Sequence, residues 1–178
     1  MDLVGDALTE RLEGRRPREE DHDDYLRIWT DPRVAEEVWP ASLRTAADVE
    51  RVLRTAIQHW DRWGFGPWTA VERDTGAVVG RIGLGHTLID GHPEIEAMWF
   101  VDADRWGRGY ATELGREAVR AAFADLELES IVAFTTHPNA ASQAVMRHLG
   151  MTYERDIVHV GLPHVLYRLT AAEHARLR

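Results

Sequence analysis

The sequence predicts a mixed α/β (α+β) fold in which helices flank one central sheet. The chain has 178 residues, which is the length of a single domain. Hydrophobic residues make up 44% of the chain, which is enough for a packed core. Apolar patterns follow one another in the order β–αα–βββ–α–β–α–ββ, without the repeated βαβ series of a fully parallel sheet.

The first third of the chain contains a weak strand signal and two helix signals. Leu8–Leu12 alternates weakly and predicts an edge strand, whereas Asp21–Thr30 has one apolar helical face. Asp31–Pro40 contains two prolines and predicts a turn with a short helix. The clearest helix begins after Thr45, which forms a capping-box-like pattern with Asp48. Its apolar residues follow at helical spacing: Val49, Val52, Leu53, Ala56, Ile57 and Trp60.

Three β-like runs follow the long helix, and short turns separate them. The runs are Pro67–Arg73, Val78–Leu84 and Ile95–Val101. Asp74–Gly76 predicts a hairpin turn between the first two runs, and Ile89–Pro93 predicts a turn before the third.

The last third of the chain alternates between helices and strands. Ala111–Asp125 predicts a helix, and Ile131–Thr136 is apolar on both faces, as is typical of a central strand. Ala140–Leu149 predicts a second helix, and Thr152–Val158 with Val165–Thr170 predicts a closing antiparallel pair. The second helix carries a stripe predicted to face the core: Ala141, Ala144, Val145, His148 and Leu149.

Composition excludes several classes of chemistry and partner. The chain has no cysteine and its 21 basic residues are all arginine, which excludes thiol nucleophiles, Schiff bases and the lysine of a Walker A loop. A net charge of −9 argues against nucleic-acid binding. The histidines form no compact ligand set, so we expect no metal. No signal peptide and no apolar run of about 20 residues is found, so we expect a cytoplasmic protein without a membrane partner.

A glycine-rich loop between a strand and a helix carries the strongest functional signal. Arg105–Ala111 follows the strand that ends at Val101, and its glycines, Gly107 and Gly109, permit positive φ and close approach of a ligand. Successive amides at a helix N-terminus bind phosphate, and Arg108 adds positive charge. The loop lacks the complete G-x-G-x-x-G dinucleotide pattern. A plain structural corner remains the alternative.

The run Trp106–Glu113 resembles the acetyl-CoA pyrophosphate loop of the GNAT superfamily of N-acetyltransferases, in particular its RimJ/RimL-like branch. The segment Asn139–Ser142, followed by Met146 and Leu149–Met151, is similar to the second signature of that branch. The resemblance covers Leu8 to about Thr170. It implies one acetyltransferase domain over residues 1–178, with a mostly antiparallel sheet that contains a splayed strand pair.

The resemblance also implies the residues that bind acetyl-CoA. Backbone groups of Phe100 and Val101 would bind the pantetheine arm, and Asn139 would reach the pantetheine or the thioester. Asn139 as a helix N-cap is the alternative, and the two roles are compatible. The pyrophosphate would be held by the amides of the loop: Trp106, Gly107, Arg108, Gly109, Tyr110, Ala111 and Thr112.

Acetyl transfer to an amine needs a base for the amine and stabilisation of the departing thiolate. Glu96 matches an acidic position of the branch and is the candidate base, with a solvated carboxylate at the strand start as the alternative. The tyrosine acid common in the superfamily is replaced here by Met146. Ser142 is the candidate partner of the thiolate, with an ordinary first-turn serine as the alternative.

The acceptor side is less defined by the sequence. Trp39, beside two glutamates, and His164, in the closing hairpin, are candidate substrate contacts, with core packing as the alternative for Trp39. The implied activity is acetylation of a small-molecule amine or a protein N-terminus, and a homodimer is the assembly that the resemblance allows. Two alternatives stay open: a non-catalytic acyl-CoA-binding or sensing protein, and an unrelated phosphate-ligand binding module.

Overall fold

The computed structural model describes residues 3–34 and 45–177, in which one eight-stranded sheet has the strand order β1-β2-β3-β4-β5-β6-β8-β7. The strands are Ala7–Leu8 (β1), Leu12–Arg15 (β2), Pro67–Glu72 (β3), Val78–Ile89 (β4), His92–Val101 (β5), Ser130–Thr136 (β6), Thr152–His159 (β7) and Leu162–Thr170 (β8). The helices are His22–Trp29 (α1), Ala46–Trp63 (α2), Tyr110–Arg120 (α3), Ala140–His148 (α4) and Ala171–Arg176 (α5). A π-helical turn, Ala121–Asp125, continues α3.

Neighbouring strands are antiparallel throughout this sheet except at β5 and β6. These two strands run parallel and pair at one position, where Glu96 lies opposite Val132. Beyond Glu96, towards Val101, β5 diverges from β6. The predicted mixed, mostly antiparallel sheet with a splayed strand pair is therefore confirmed.

The helices α1 and α2 form where the sequence predicts them. The Thr45 hydroxyl accepts a hydrogen bond from the Asp48 amide at the start of α2, and Gly64 ends the helix with φ 69°. The buried face of α2 contains Val49, Leu53, Ala56 and Trp60. In α1 the buried residues are Tyr25, Ile28 and Trp29, which form a core cluster with part of α2 and Val78 of β4.

The predicted strand Leu8–Leu12 is wrong, because a turn separates β1 from β2 inside it. The Thr9 hydroxyl accepts a hydrogen bond from the Leu12 amide over 3.0 Å, which closes the turn. The carboxylate of Glu113 accepts from the Thr9 hydroxyl at 2.6 Å and from the Arg11 amide at 2.9 Å. A partner this distant in sequence cannot be detected in a local alternation pattern.

The predicted inward stripe of α4 is correct only in part: Ala144 and Val145 are half-buried, and Val145 packs against the core. Leu149 is buried, but Ala141 and His148 are exposed, and Met146 is the core residue of the helix. The reason is the divergence of β5 from β6, which places α4 over a gap in the sheet. Part of its apolar surface consequently faces a cleft.

Strand β4 extends further than predicted, and its hairpin with β5 turns at Asp90 and Gly91 alone. Both residues have positive φ, 51° and 80°, as a type I′ turn requires. Within the described ranges, no helix has both the length and the apolar character needed to cross a bilayer. Residues 35–40 of the predicted turn and short helix Asp31–Pro40 lie outside the described residues.

Candidate active site

A cavity of about 490 Å³ opens where β5 and β6 diverge, between the loop before α3 and the first turns of α4. This volume is within the range typical of small-molecule sites. Most of the residues predicted from the sequence line it: Glu96, Phe100, Val101, Trp106, Gly107, Gly109, Tyr110, Ala111, Thr112, Asn139, Ser142 and His164. Arg108 is not part of the lining, and Trp39 lies outside the described residues.

The loop before α3 has the backbone shape of an anion-binding turn. Gly107 and Gly109 have φ of 73° and 79°, and Gly109 is the N-cap residue of α3. The amides of the first helical turn, from Tyr110 onward, have no partner within the helix and lie at its positive end. The predicted glycine-rich loop is therefore found at the start of a helix, where free amides favour an anion; pyrophosphate binding there stays a prediction.

Glu72, at the end of β3, anchors this loop and was not identified from the sequence. Its carboxylate accepts hydrogen bonds from the Tyr110 hydroxyl at 2.6 Å and from the Thr75 hydroxyl at 2.7 Å. The Arg105 Nε lies 3.3 Å from the Glu72 Oε1, and the Arg108 Nη1 lies 3.8 Å from the same oxygen. The Tyr110 and Thr75 hydrogen bonds, with the positive charge of Arg105, lower the pKa of Glu72 to about 2. A lone glutamate after a strand carries no motif that would have revealed this role.

A second contact fixes the loop to the strand that precedes it. The indole Nε1 of Trp106 donates a hydrogen bond to the carbonyl oxygen of Val101 over 2.8 Å. Trp106 remains 44% exposed, so the ring forms part of the rim of the cleft. The end of β5 and the glycine-rich loop are therefore held together as one wall.

Asn139 and Ser142 form the opposite wall, at the start of α4. The Asn139 side-chain oxygen accepts a hydrogen bond from the Ser142 amide over 2.9 Å, which confirms its N-cap role. The Ser142 hydroxyl oxygen accepts a hydrogen bond from the Trp99 indole. Met146, in the position of the common tyrosine acid, is 1% exposed and packs in the core.

Glu96 lies at the vertex of the cleft, where β5 and β6 make their single pairing. Its side chain lines the cavity and is partly buried, unlike a solvated carboxylate at a strand start. Burial raises the pKa of Glu96 to about 7, and the positive charge of Arg81 opposes this rise. A carboxyl group that titrates near neutral pH is suited to accept a proton from an amine.

His164 and Phe134 line the cavity from β8 and β6. His164 is 3% exposed, and its Nδ1 is 2.9 Å from the Leu162 carbonyl oxygen, to which it donates as the Nδ1–H tautomer. The Phe134 ring contacts it edge-on, with centroids 5.7 Å apart. Among the residues described, no three His, Asp or Glu side chains are arranged to hold a metal ion.

Comparison with known proteins identifies a family for this arrangement. The family model described as an acetyltransferase (GNAT) domain matches residues 11–152. The chain is 27% identical over 105 residues to the uncharacterized protein YkkB of Bacillus subtilis, covering 59% of this chain and 61% of YkkB. It is 35% identical over 96 residues to FsC-acetyl coenzyme A-N(2)-transacetylase of Aspergillus fumigatus, covering 51% of this chain and 40% of that enzyme. The chain thus spans less than two thirds of either relative.

Solved structures resemble the fold over nearly its whole length. An acetyltransferase from Agrobacterium tumefaciens superposes with a TM-score of 0.80 at 25% identity, covering 93% of this chain and 94% of that one. A protein described as a ribosomal-protein-serine acetyltransferase from Vibrio cholerae superposes with a TM-score of 0.73 at 14% identity, covering 96% of this chain and 99% of that one. Microcin C7 self immunity acetyltransferase MccE, solved with acetyl-CoA and AMP, gives 0.70 at 13% identity, with coverage of 90% and 93%.

Proposed function

Because this chain belongs to the GNAT acetyltransferase family, we propose that it transfers the acetyl group of acetyl-CoA to a primary amine. The observation that carries the proposal is the position of Glu96. Its carboxyl group, with a pKa of about 7, shares one cavity with the glycine-rich loop, which is the proposed pyrophosphate site. Base and donor site are thus combined in a single cleft.

Acetyl-CoA supplies the acetyl group as a thioester. The amine nitrogen attacks the thioester carbonyl carbon, so that a C–N bond forms and the C–S bond breaks. Glu96 takes the proton that the nitrogen loses, directly or through water. The chain contains no cysteine, and the proposed attack is direct, without an acyl-enzyme. The products are the N-acetyl amide and CoA.

Ser142 is the proposed partner of the sulfur as it leaves. Its hydroxyl lines the cavity at the first turn of α4, where the helix amides add positive potential. A hydroxyl is a weak acid, so Ser142 donates a hydrogen bond to the thiolate and water supplies the proton. The burial of Met146 away from the cavity supports a mechanism that does not use the common tyrosine position.

The acceptor is proposed to be a small-molecule amine or a protein N-terminus, as in the RimJ/RimL-like branch. Support for this branch comes from the run Trp106–Glu113, from Asn139 and from Ser142. The likeness to the ribosomal-protein acetyltransferase concerns the fold alone. His164 and Trp39 as substrate contacts, the cytoplasmic location and a homodimer remain predictions.

Two measurements test this function. Thermal unfolding is followed with acetyl-CoA, and with ATP and NAD as controls; a ligand at about 100 times its Kd stabilises by roughly 2.7 kcal/mol. Release of free CoA is then measured across a panel of amines. Stabilisation by acetyl-CoA together with amine-dependent CoA release supports the enzyme. Stabilisation without release from any amine supports the non-catalytic acyl-CoA-binding protein, and stabilisation by ATP or NAD alone supports a phosphate-ligand module.

A further inference from the structure

Arg81 of β4 is a half-buried cation that forms no salt bridge among the residues described, and Glu96 acts on it as a charge from beyond salt-bridge distance. Its Nε is buried and has no hydrogen-bond partner. One terminal nitrogen donates to the Met98 sulfur at 2.7 Å. The ring centroids of Trp29 and Phe100 lie 5.7 and 5.6 Å from the guanidinium carbon and 5.5 Å from each other, so the two rings adjoin and both contact the same side of the group.

A guanidinium whose Nε is buried without a hydrogen-bond partner is energetically unfavourable. Charged groups inside proteins are normally paired and fully hydrogen-bonded, because an uncompensated charge loses its hydration. Aromatic faces recover part of this loss, and a thioether is only a weak acceptor. Burial lowers the pKa of Arg81, and the charges of Tyr25 and Glu96 oppose this shift only in part. The surroundings of Arg81 resemble an anion-binding site without its anion.

The position of Arg81 relates it directly to the proposed base. In the β4–β5 register, Arg81 lies opposite Phe100, Gly83 opposite Met98, and Gly85 opposite Glu96. Residues at alternate positions share one face of a sheet, so both charged side chains project from the same face. Since the two glycines contribute no side chains, Met98 is the residue of these two strands that separates them.

Met98 fills the space above the glycines. Its Cε lies 2.8 Å from the point where a Cβ on Gly85 would stand, and the side chain also lines the cavity together with Phe100. Arg81 does not line the cavity itself, and the Met98 side chain is the layer between Arg81 and the part of the cavity beside Glu96. Methionine is unbranched and repacks readily, so this layer can move aside for a ligand.

We propose that the acceptor carries an anionic group, a carboxylate or a phosphate, in addition to its amine, and that Arg81 binds this group. This inference rests on the proposed acetyl transfer, with the amine at Glu96. The strand positions 81 and 85 are about 13 Å apart along β4, so a chain of several atoms separates amine and anion in such an acceptor. Guanidinium groups bind both anions in a bidentate manner.

The test compares matched acceptors and matched variants. For each chain length, kcat/KM is measured for an alkylamine, the ω-amino acid and the aminoalkyl phosphate. We expect kcat/KM of the wild-type protein to be about tenfold to hundredfold higher for one of the two anionic series than for the alkylamine of the same length. This is the range for a charge-assisted hydrogen bond. Arg81→Gln removes that preference, so that kcat/KM of the anionic acceptors falls to the value of the alkylamine of the same length. Because Arg81 also acts on the pKa of Glu96, the acceptors are compared with one another within each variant, at the pH of its highest activity. Arg81→Lys restores part of the preference.

Arg27→Gln is the control, because Arg27 already pairs with Asp24 and Asp102 and does not line the cavity. It should keep the wild-type preference. The proposal is overturned if the wild-type protein prefers alkylamines, or if Arg81→Gln lowers all acceptors equally. If no amine is acetylated, the proposed function fails instead. Calorimetric binding of the ω-amino acid and the aminoalkyl phosphate with CoA present, compared between wild type and Arg81→Gln, then decides the role of Arg81 alone.

Discussion

The indole Nε1 of Trp99 donates a hydrogen bond to the hydroxyl oxygen of Ser142 over 3.1 Å, across the cleft from β5 to α4. A serine hydroxyl has one proton to donate and two acceptor positions. Because the oxygen accepts from Trp99, its own proton is directed elsewhere. We expect this arrangement to orient the Ser142 proton towards the sulfur of the departing CoA.

A double-mutant cycle tests this orientation. Trp99→Phe should lower kcat by about threefold to tenfold, the worth of one hydrogen bond, with little change in the KM for acetyl-CoA. Ser142→Ala should lower kcat at least as much. The double variant should match Ser142→Ala, since Trp99 acts through that hydroxyl. Trp63→Phe, on an exposed ring, is the control. Fully additive losses would show that Trp99 has a separate, structural effect.

The pH dependence of turnover tests Glu96 as the base. With its pKa at about 7, kcat/KM should rise as the pH increases through neutrality and Glu96 becomes ionised. Glu96→Gln should lower kcat/KM by about a hundredfold or more and remove this limb of the profile. An unchanged limb in Glu96→Gln would assign the titration to another group, such as the acceptor amine.

Glu96→Gln, which should lower activity, should raise the stability of the fold. A carboxyl whose pKa is raised by folding is destabilising once it ionises, so this cost appears as the pH rises from about 4.5 to about 7. Glu96→Gln should therefore stabilise the fold at pH ~8 by about 1–3 kcal/mol, and by less at pH ~5. Thermal unfolding at both pH values measures the difference. A gain of equal size at the two pH values contradicts the raised pKa.

Glu72 is expected to support acetyl-CoA binding without touching it. Glu72→Gln removes the charge that holds Arg105 and Arg108 beside the loop, and should weaken acetyl-CoA binding by about threefold to tenfold. The pKa of Glu72 is lowered to about 2, so its stabilising effect is present above about 4.5 and declines as the pH falls towards 2. The Tm difference from wild type should shrink accordingly. Glu50→Gln, at an exposed ion pair of α2, serves as the control.

Gly80 is required for the close pairing of β4 with β5. A Cβ on Gly80 would stand 2.0 Å from the Phe100 carbonyl oxygen, which belongs to the backbone and cannot rotate away. Gly80→Ala should cost about 3 kcal/mol or prevent folding. Gly5→Ala, where nothing lies within 4 Å, should change the free energy of unfolding by less than about 0.5 kcal/mol. Similar denaturant midpoints for both variants would contradict this packing.

Local patterns predict the elements whose causes are local. The α2 helix carries its cap at Thr45 and its stop at Gly64 within the same segment, and the cap is found as predicted. The turn between β1 and β2 depends on Glu113, about a hundred residues away, and was missed. The stripe on α4 was misassigned because an apolar face looks the same in sequence whether it meets a core or a cleft.

The candidate site shows the same difference between residues with local causes and residues with long-range causes. The loop residues Gly107 and Gly109 belong to a recognisable motif, and they line the cavity with Glu96 and Ser142. Glu72 and Arg81 carry no motif, because their significance comes from what tertiary packing brings against them. Only the folded chain reveals that Glu72 is surrounded by donors and that, within the part of the chain that the structure describes, the Arg81 Nε is buried without a hydrogen-bond partner.

The single pairing of Glu96 with Val132 is the only position at which the two halves of the described sheet, β1–β5 and β6–β8, are joined. A rotation of one half against the other about this pairing would displace the open end of the cleft most and the paired residues least. The carboxylate at position 96 therefore stays almost stationary while the opposing walls near Trp106 and Ser142 part or close. The proposed base thus lies at the joined end of the cleft, while the glycine-rich loop and Ser142 lie along its open part.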